Sequence, residues 1–128
     1  MLLVHGSSLV IVENKYGLGA VGGSAGIAKH YEDICSVLND DSLRSELYAS
    51  VSAIIDCKQK LGLLQKAVQP PNQKEHEILF LLAEYRPASK QLPNEIAKLK
   101  KTIPAKVLFN DKNEYYIDYN RAVDLFTI

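Results

Sequence analysis

The chain carries Leu9-Val10-Ile11-Val12-Glu13-Asn14-Lys15-Tyr16-Gly17 near its start, and this stretch decides the fold. Its first four residues are apolar and mostly β-branched, which predicts a strand. A shorter apolar run, Leu2 to His5, precedes it across the turn signal Gly6-Ser7-Ser8. Two apolar runs about a turn predict a β-hairpin. Because neither run alternates with polar residues, we expect a sheet that is covered on both faces.

Two helices are predicted after the hairpin. The segment that follows the quoted stretch is rich in glycine, which predicts a flexible loop. A helix is then expected from about Ala25 to Leu38, with Ser24 as its N-cap. A second helix is expected from about Leu43 to Leu61, capped by Asp41 or Ser42. The apolar residues at helical spacing are Ile27, Tyr31, Ile34 and Leu38 in the first helix, and Leu47, Val51, Ile54, Ile55 and Leu61 in the second.

The remainder of the chain alternates between apolar runs and loops. Residues 78–83 are apolar throughout, which favours a buried strand. A short helix is expected over residues 94–99. Residues 107–109 and 115–117 predict either a terminal hairpin or a strand followed by a separate extended segment. Residues 122–128 form an apolar tail that can dock on the core or on a neighbouring molecule.

The expected order of elements is β-β-α-α-β-α-β-β. This alternation predicts an α/β fold with three layers and a mixed central sheet. The chain has 128 residues, about the length of one domain, so we expect a single domain over residues 1–128.

Composition narrows the class of protein. The formal net charge is zero, which argues against broad electrostatic capture of nucleic acid but leaves room for a local basic groove. The two cysteines have no partner at metal-ligand spacing, so we expect buried thiols in a reducing compartment. No apolar run is long enough to span a bilayer, and the first residues lack the basic start of a signal peptide. We therefore expect a cytoplasmic protein with no membrane partner.

The polar residues that follow the second strand carry the candidate chemistry. Residues two apart in a strand project to the same side, so Glu13 and Lys15 share a face and Asn14 points away. A carboxylate is a hard oxygen ligand for Mg²⁺. A lysine can stabilise charge that develops on a phosphate, or help to position and deprotonate the attacking water. The competing interpretation is a solvated pair at the rim of a sheet, which contributes under ~1 kcal/mol.

Residues 9–17 resemble motif three of the PD-(D/E)XK nuclease superfamily, the restriction-endonuclease-like fold. In that superfamily a hairpin carries an Asp on its first strand and Glu-x-Lys on its second, and a helix then packs against the sheet. A Glu-x-Lys triplet alone is expected roughly once by chance in such a chain. The weight therefore lies in its context after a hairpin and before a helix. The resemblance covers residues 2 to about 38.

The resemblance implies a set of site residues. Glu13 would be a catalytic metal ligand and Lys15 a catalytic group, with Mg²⁺ as the cofactor. Residues 28–34 resemble the helix that follows the core motif, so Lys29 and His30, together with Tyr16, would contact the substrate. That substrate would be nucleic acid. The implied activity is Mg²⁺-dependent cleavage of a phosphodiester bond.

The chain departs from the pattern of the superfamily at one point. No Asp or Glu precedes Glu13, so the acidic partner on the first strand is missing, together with the helix that usually precedes it. Three interpretations stay open: a truncated product or misassigned start, a degenerate inactive relative, or substitution by another group, for which His5 is the titratable candidate on the first strand. We expect the chain as it stands to be catalytically weak or inactive.

Two alternatives come from other functional classes. The run from Gly17 to Gly22 matches G-x-G-x-x-G, the pattern of a nucleotide-binding loop. However, Glu13 to Tyr16 separate it from the apolar strand, and the next helix is expected to start too late. The second alternative is a non-catalytic interaction module that self-associates. Its first strand would leave an unpaired sheet edge, which a homodimer could cover together with the apolar tail.

Overall fold

A five-stranded mixed open sheet and three helices form the fold, so the expected α/β class and element order are confirmed. The computed structural model describes residues 1–86, 88–111, 114 and 116–128. The strands lie in the order β1-β2-β3-β4-β5; β2, β3 and β4 are parallel, and the two outer strands run antiparallel to their neighbours. The elements are β1 Leu2–His5, β2 Ser8–Tyr16, α1 Ile27–Asn39, α2 Asp41–Lys60, β3 His76–Ala83, α3 Gln91–Ile96, β4 Ala105–Asn110 and β5 Val123–Asp124.

The predicted hairpin is present as β1 and β2. The strands pair from Leu2 with Ile11 to His5 with Ser8, and Gly6 takes a left-handed φ of 62° in the turn. Glycine suits this position because it has no Cβ to clash there. On its other side β2 pairs with β3 over its whole length. The strand is therefore inside the sheet, which explains its unbroken apolar run.

The starts of the first two helices differ from their predicted caps. α1 begins at Ile27 after Gly26, which offers no capping side chain, so the assignment of Ser24 as the N-cap was wrong. Ser24 lies instead in a 3-10 turn, Gly23–Ala25, of a loop that closes when the amide of Ile27 donates to the carbonyl of Val21. α2 is capped by Asp40, whose carboxylate accepts from the amide of Leu43 at 2.9 Å, rather than by Asp41 or Ser42.

All three helices pack on one face of the sheet. Alternate β2 residues such as Leu9 and Ile11 point to that face, where α1 and α3 cover most of the core and α2 covers the end near β1. The other face is covered by residues from 117 to 122. The second helix layer that we expected is therefore not found among the described residues. The buried residues of this second face are Val10, Val12, Leu79 and Leu108.

The apolar stripe of α2 was only partly predicted. Val51 and Ile55 are buried as expected, but Ile54 and Leu61 are exposed. Cys35 is buried on α1, whereas Cys57 is exposed on α2, and both are free thiols. α2 therefore presents apolar surface beside β1.

The last strand and the tail follow a different path from the simple hairpin. β5 comes after Asn120, and Tyr116 and Ile117 are not in a strand; Tyr115 lies outside the described residues. Phe126 meets the ring of Tyr31 edge-on, with centroids 5.8 Å apart, and Leu125 is fully buried. The apolar tail therefore docks on the core of its own chain. α3 starts earlier than expected, at Gln91.

Among the residues that the structure describes, no helix is both long enough and apolar enough to cross a membrane.

Candidate functional site

Glu13 and Lys15 lie near the carboxyl end of β2, on the face that carries the helices. Their partners across the parallel ladder are Phe80 and Leu82, which belong to the core under α1. The shared face that the two-residue spacing predicts is therefore present. In α/β sheets this edge, beyond the carboxyl ends of parallel strands, is where ligands most often bind.

The ammonium group of Lys15 is buried, and its two partners explain how burial is tolerated. Only 5% of its side chain is exposed. Its Nζ donates to Oε1 of Glu13 at 3.0 Å and to the carbonyl of Ala25 at 2.6 Å. A buried charge without such partners would be strongly destabilising. Lys15 therefore ties the glycine-rich loop to the end of β2.

α1 brings a third polar side chain to the same place. Nδ1 of His30 lies 2.6 Å from Oε1 of Glu13, and both side chains are about 30% exposed, 32% for the imidazole and 28% for the carboxylate. His30 stands three residues after Ile27, which is fully buried, so it lies on the flank of α1 that faces the sheet. We use the name Glu13–Lys15–His30 cluster for these three residues.

The electrostatics of the cluster keep Glu13 ionised. Partial burial raises the pKa of its carboxyl group, but the hydrogen bond and charge of Lys15, together with the charge and hydrogen bond of His30, outweigh that effect. The net result is a pKa below the ordinary value for glutamate. At neutral pH the carboxylate is therefore negative, and one of its oxygens faces two nitrogen groups.

The other two predicted substrate contacts lie apart from this cluster. Lys29 pairs with Asp33 on its own helix at 2.6 Å, and this hydrogen bond raises the pKa of Lys29. The hydroxyl of Tyr16 donates to Oε2 of Glu84 at 2.6 Å, and this bond raises the pKa of Tyr16. In the described part of the chain, neither Lys29 nor Tyr16 hydrogen-bonds to Glu13 or Lys15.

Two participants were missed in the sequence. The carbonyl of Ala25 is a backbone group, so no residue type signals its role. Glu84 could have been found from the sheet register, because Tyr16 pairs with Ala83 and the next residue is acidic. Glu84 also takes an unusual φ of 54° for a residue other than glycine.

The residues present do not fit a resident Mg²⁺ ion. Mg²⁺ requires near-octahedral oxygen coordination. The described residues contain no group of three or more His, Cys, Asp or Glu side chains placed to hold a metal. Glu13 is the one carboxylate of the cluster, and its Oε1 already contacts Lys15 and His30.

His5 does not replace the missing acidic residue. It pairs with Ser8, so it belongs to the face of the sheet opposite Glu13. There its ring stacks on Tyr119, with the ring centroids 4.1 Å apart. The alternation of the strand therefore separates His5 from the cluster.

The glycine-rich segment does not have the geometry of a dinucleotide-binding loop. β2 continues to Tyr16, and α1 begins at Ile27, well after the motif has ended at Gly22. The segment folds into two 3-10 turns, and Val21 is fully buried between them. A dinucleotide fold instead opens its helix within the motif, so that the helix N-terminus meets the pyrophosphate. The nucleotide-binding alternative loses its structural basis.

The candidate site is therefore the Glu13–Lys15–His30 cluster at the carboxyl end of β2, closed on one side by the glycine-rich loop. No family model, curated protein or solved structure matches this chain. The functional argument consequently rests on the geometry of this cluster.

Proposed function

We propose that this chain is a nuclease-like domain of the restriction-endonuclease-like fold that binds the phosphodiester backbone of nucleic acid at the Glu13–Lys15–His30 cluster. Hydrolysis by the residues present is weak or absent. The proposal concerns the hairpin, the sheet and the site; it does not extend to a three-layer form, because residues 117–122 rather than a helix cover the second face.

The observation that carries the proposal is the convergence of Glu13, Lys15 and His30 on one oxygen atom at the end of a parallel strand pair. The resemblance supplied Glu13 and Lys15 as a pair and His30 as a separate contact. The contact of His30 with Glu13 at 2.6 Å is support that the sequence pattern did not contain.

The limit on hydrolysis follows from the ligands. Mg²⁺ is the cofactor that the resemblance implies, and Glu13 is its one carboxylate ligand in the cluster. A hydrated Mg²⁺ ion held by a single carboxylate, already paired with Lys15, is held weakly. No hydrolytic step is therefore assigned to these residues.

Binding can be tested with a fluorescent oligonucleotide by anisotropy at low ionic strength. A protein with zero net charge should bind at the weak end of the non-specific range, roughly 10⁻⁴ to 10⁻⁶ M. His30→Ala and Lys29→Ala should weaken binding, since both side chains lie on the exposed start of α1. Lys29→Ala should also make the salt dependence about one unit less steep.

The matched control is Lys60→Ala. Lys60 pairs with Asp56 at 2.7 Å, in the same i,i+4 arrangement as Lys29 with Asp33, but at the far end of α2. It should bind nucleic acid as the unmodified chain does. Absence of binding at low salt, or an equal loss in all three variants, would refute the proposed function.

A second candidate function, self-association, is favoured by the edge of the sheet at β1. Met1 and Val12 exchange two backbone hydrogen bonds, at 2.8 and 2.9 Å. In an antiparallel ladder such pairs alternate, so the N–H and C=O groups of Leu2 and Val4 point away from β2, toward the open edge. Within the described residues no further strand pairs with β1. Uncharged open edges recruit other strands.

An apolar groove of about 310 Å³ adjoins this edge and includes Leu2, Val4, Val51 and Ile54 in its lining. Sedimentation velocity tests the alternative. A homodimer should be lost in Leu2→Lys, whose wild-type side chain is 44% exposed, and kept in Val123→Lys on the opposite edge strand, where exposure is 47%. A monomer at all accessible concentrations would exclude this second candidate.

A further inference from the structure

The carboxylate of Glu13 meets a ring nitrogen of His30 in the arrangement that orients histidines in proteins. Oε1 of Glu13 lies 2.6 Å from Nδ1, and Lys15 holds the same oxygen from the other side at 3.0 Å. A carboxylate that accepts from one ring nitrogen fixes the orientation of the ring and the tautomer. The bond places the proton on Nδ1 and leaves Nε2 as the hydrogen-bond acceptor.

The second ring nitrogen is available to a ligand. The side chain of His30 is 32% exposed, and no hydrogen bond to Nε2 is found in the part of the chain that the structure describes. Lys15, by contrast, is buried and already donates to Glu13 and Ala25. The group that the cluster presents to a bound molecule is therefore an acceptor rather than a cation.

An acceptor selects among nucleic acids. The backbone of DNA offers phosphate and sugar oxygens, which accept hydrogen bonds but do not donate them. The ribose 2′-hydroxyl is a donor as well as an acceptor, and it is the group by which proteins distinguish RNA from DNA. Nε2 of His30 can therefore form a hydrogen bond with the backbone of RNA that DNA does not supply.

We propose that Glu13 is a positioning residue for His30, which accepts a hydrogen bond from a ribose 2′-hydroxyl, so that RNA is the nucleic acid that this site takes. The inference rests on the proposed function, because it names the substrate class of the same site. It replaces the role of Glu13 as a metal ligand. Lys15 holds Glu13 in place and contributes no direct contact with the ligand.

The test compares three oligonucleotides of one sequence, made as RNA, as DNA and as 2′-O-methyl RNA. The methylated strand keeps the ribose but lacks the 2′ donor. Binding is measured in EDTA at mildly alkaline pH, above the ordinary titration range of histidine. One neutral hydrogen bond predicts that RNA binds about 3- to 10-fold more tightly than either of the other strands. Millimolar Mg²⁺ in place of EDTA should leave this preference unchanged.

Variants assign the preference to its residues. His30→Ala should bind the three strands equally, and Glu13→Gln should reduce the preference. His5→Ala, which changes an exposed histidine on the opposite face of the sheet, should keep it. Equal binding of RNA and 2′-O-methyl RNA by the unmodified chain would overturn the inference, as would a preference that survives in His30→Ala.

Long-range ¹H–¹⁵N spectra of the histidine rings separate this inference from the proposed function. We expect His30 to carry its proton on Nδ1 in the free protein and to lose this fixed tautomer in Glu13→Gln. If no oligonucleotide binds but the tautomer is as expected, the proposed function fails and the positioning role of Glu13 stands without a nucleic-acid ligand. A proton fixed on Nε2, or Mg²⁺ binding that Glu13→Gln abolishes, overturns the positioning role itself.

Discussion

Replacement of Lys15 by methionine should destabilise the fold far more than replacement of a surface lysine. Methionine keeps an unbranched apolar side chain of similar reach, so the change removes mainly the charge and its two hydrogen bonds. The carbonyl of Ala25 and the carboxylate of Glu13 then lose a partner. Breaking a buried pair costs about 3–5 kcal/mol. Because Glu13 is 28% exposed and keeps His30, we expect a smaller loss, about 2–4 kcal/mol.

The assay is urea denaturation, read from the midpoint and slope of the transition. Global stabilities of small domains are about 5–15 kcal/mol, so the expected loss is a large share. Lys60→Met supplies the control, because Lys60 is 74% exposed in its pair with Asp56. Such surface pairs contribute about 0–1 kcal/mol. The double variant Lys15→Met/Glu13→Gln should recover part of the loss, since the unpaired carboxylate is gone.

Amide hydrogen exchange locates the effect. If Lys15 ties the loop to β2, the amide of Ile27, which donates to Val21, should exchange faster in Lys15→Met than in the unmodified chain at equal global stability. A stability change within about 0.5 kcal/mol of that for Lys60→Met would refute the anchoring role of Lys15.

Three further predictions concern other parts of the fold. Gly26→Ala should destabilise the fold by about 1–3 kcal/mol in thermal or urea unfolding, because a Cβ would lie 2.6 Å from the carbonyl carbon of Gly22; a neutral effect would contradict the tight closure of the loop. Tyr31→Phe should cost about 2–4 kcal/mol, because the buried hydroxyl accepts from the amide of Ile103 at 3.0 Å and donates to its carbonyl at 2.8 Å; a loss below about 1 kcal/mol would argue against that network. Burial lowers the pKa of His76, so the unfolded chain binds its proton first and stability should fall as the pH drops below about 6.5. Urea midpoints at neutral and acid pH should show a weaker decrease in His76→Gln, and an unchanged decrease would assign the acid sensitivity to other groups.

The local signals in the sequence predicted the hairpin and both long helices. The apolar runs on either side of Gly6 allow little other than paired strands, and Ile27 and Tyr31 mark the buried stripe of α1. The expected caps failed because short polar residues are adjacent. Asp40, Asp41 and Ser42 are all good capping residues, and the end of α1 decides among them.

The long-range features were beyond the sequence. The coverage of the second sheet face depends on where residues 117–122 travel after β4, and their apolar side chains resemble those of a strand. Residues 115–117 were therefore assigned to an extended element that the described residues among them do not form.

The candidate site shows the same division. Glu13, Lys15 and His30 were each identified from residue type and position, but the contact between Glu13 and His30 depends on how α1 rotates over the sheet. The carbonyl of Ala25 has no signature in the sequence. Lys29 and His30 are neighbours in sequence, yet Lys29 faces Asp33 and solvent, because adjacent helical residues point about 100° apart.

The parallel pairing of β2 with β3 also sets the order in which the chain can acquire its structure. The bond from Tyr16 to Glu84 joins residues 68 positions apart, and the bond from Tyr31 to Ile103 joins residues 72 apart. The hairpin and the two long helices need only short-range contacts, whereas these bonds require a large loop to close first, at an entropic cost that slows folding. The support beneath Glu13 and Lys15 is therefore assembled late. An early folding intermediate would hold the hairpin and helices with the polar cluster still open to water.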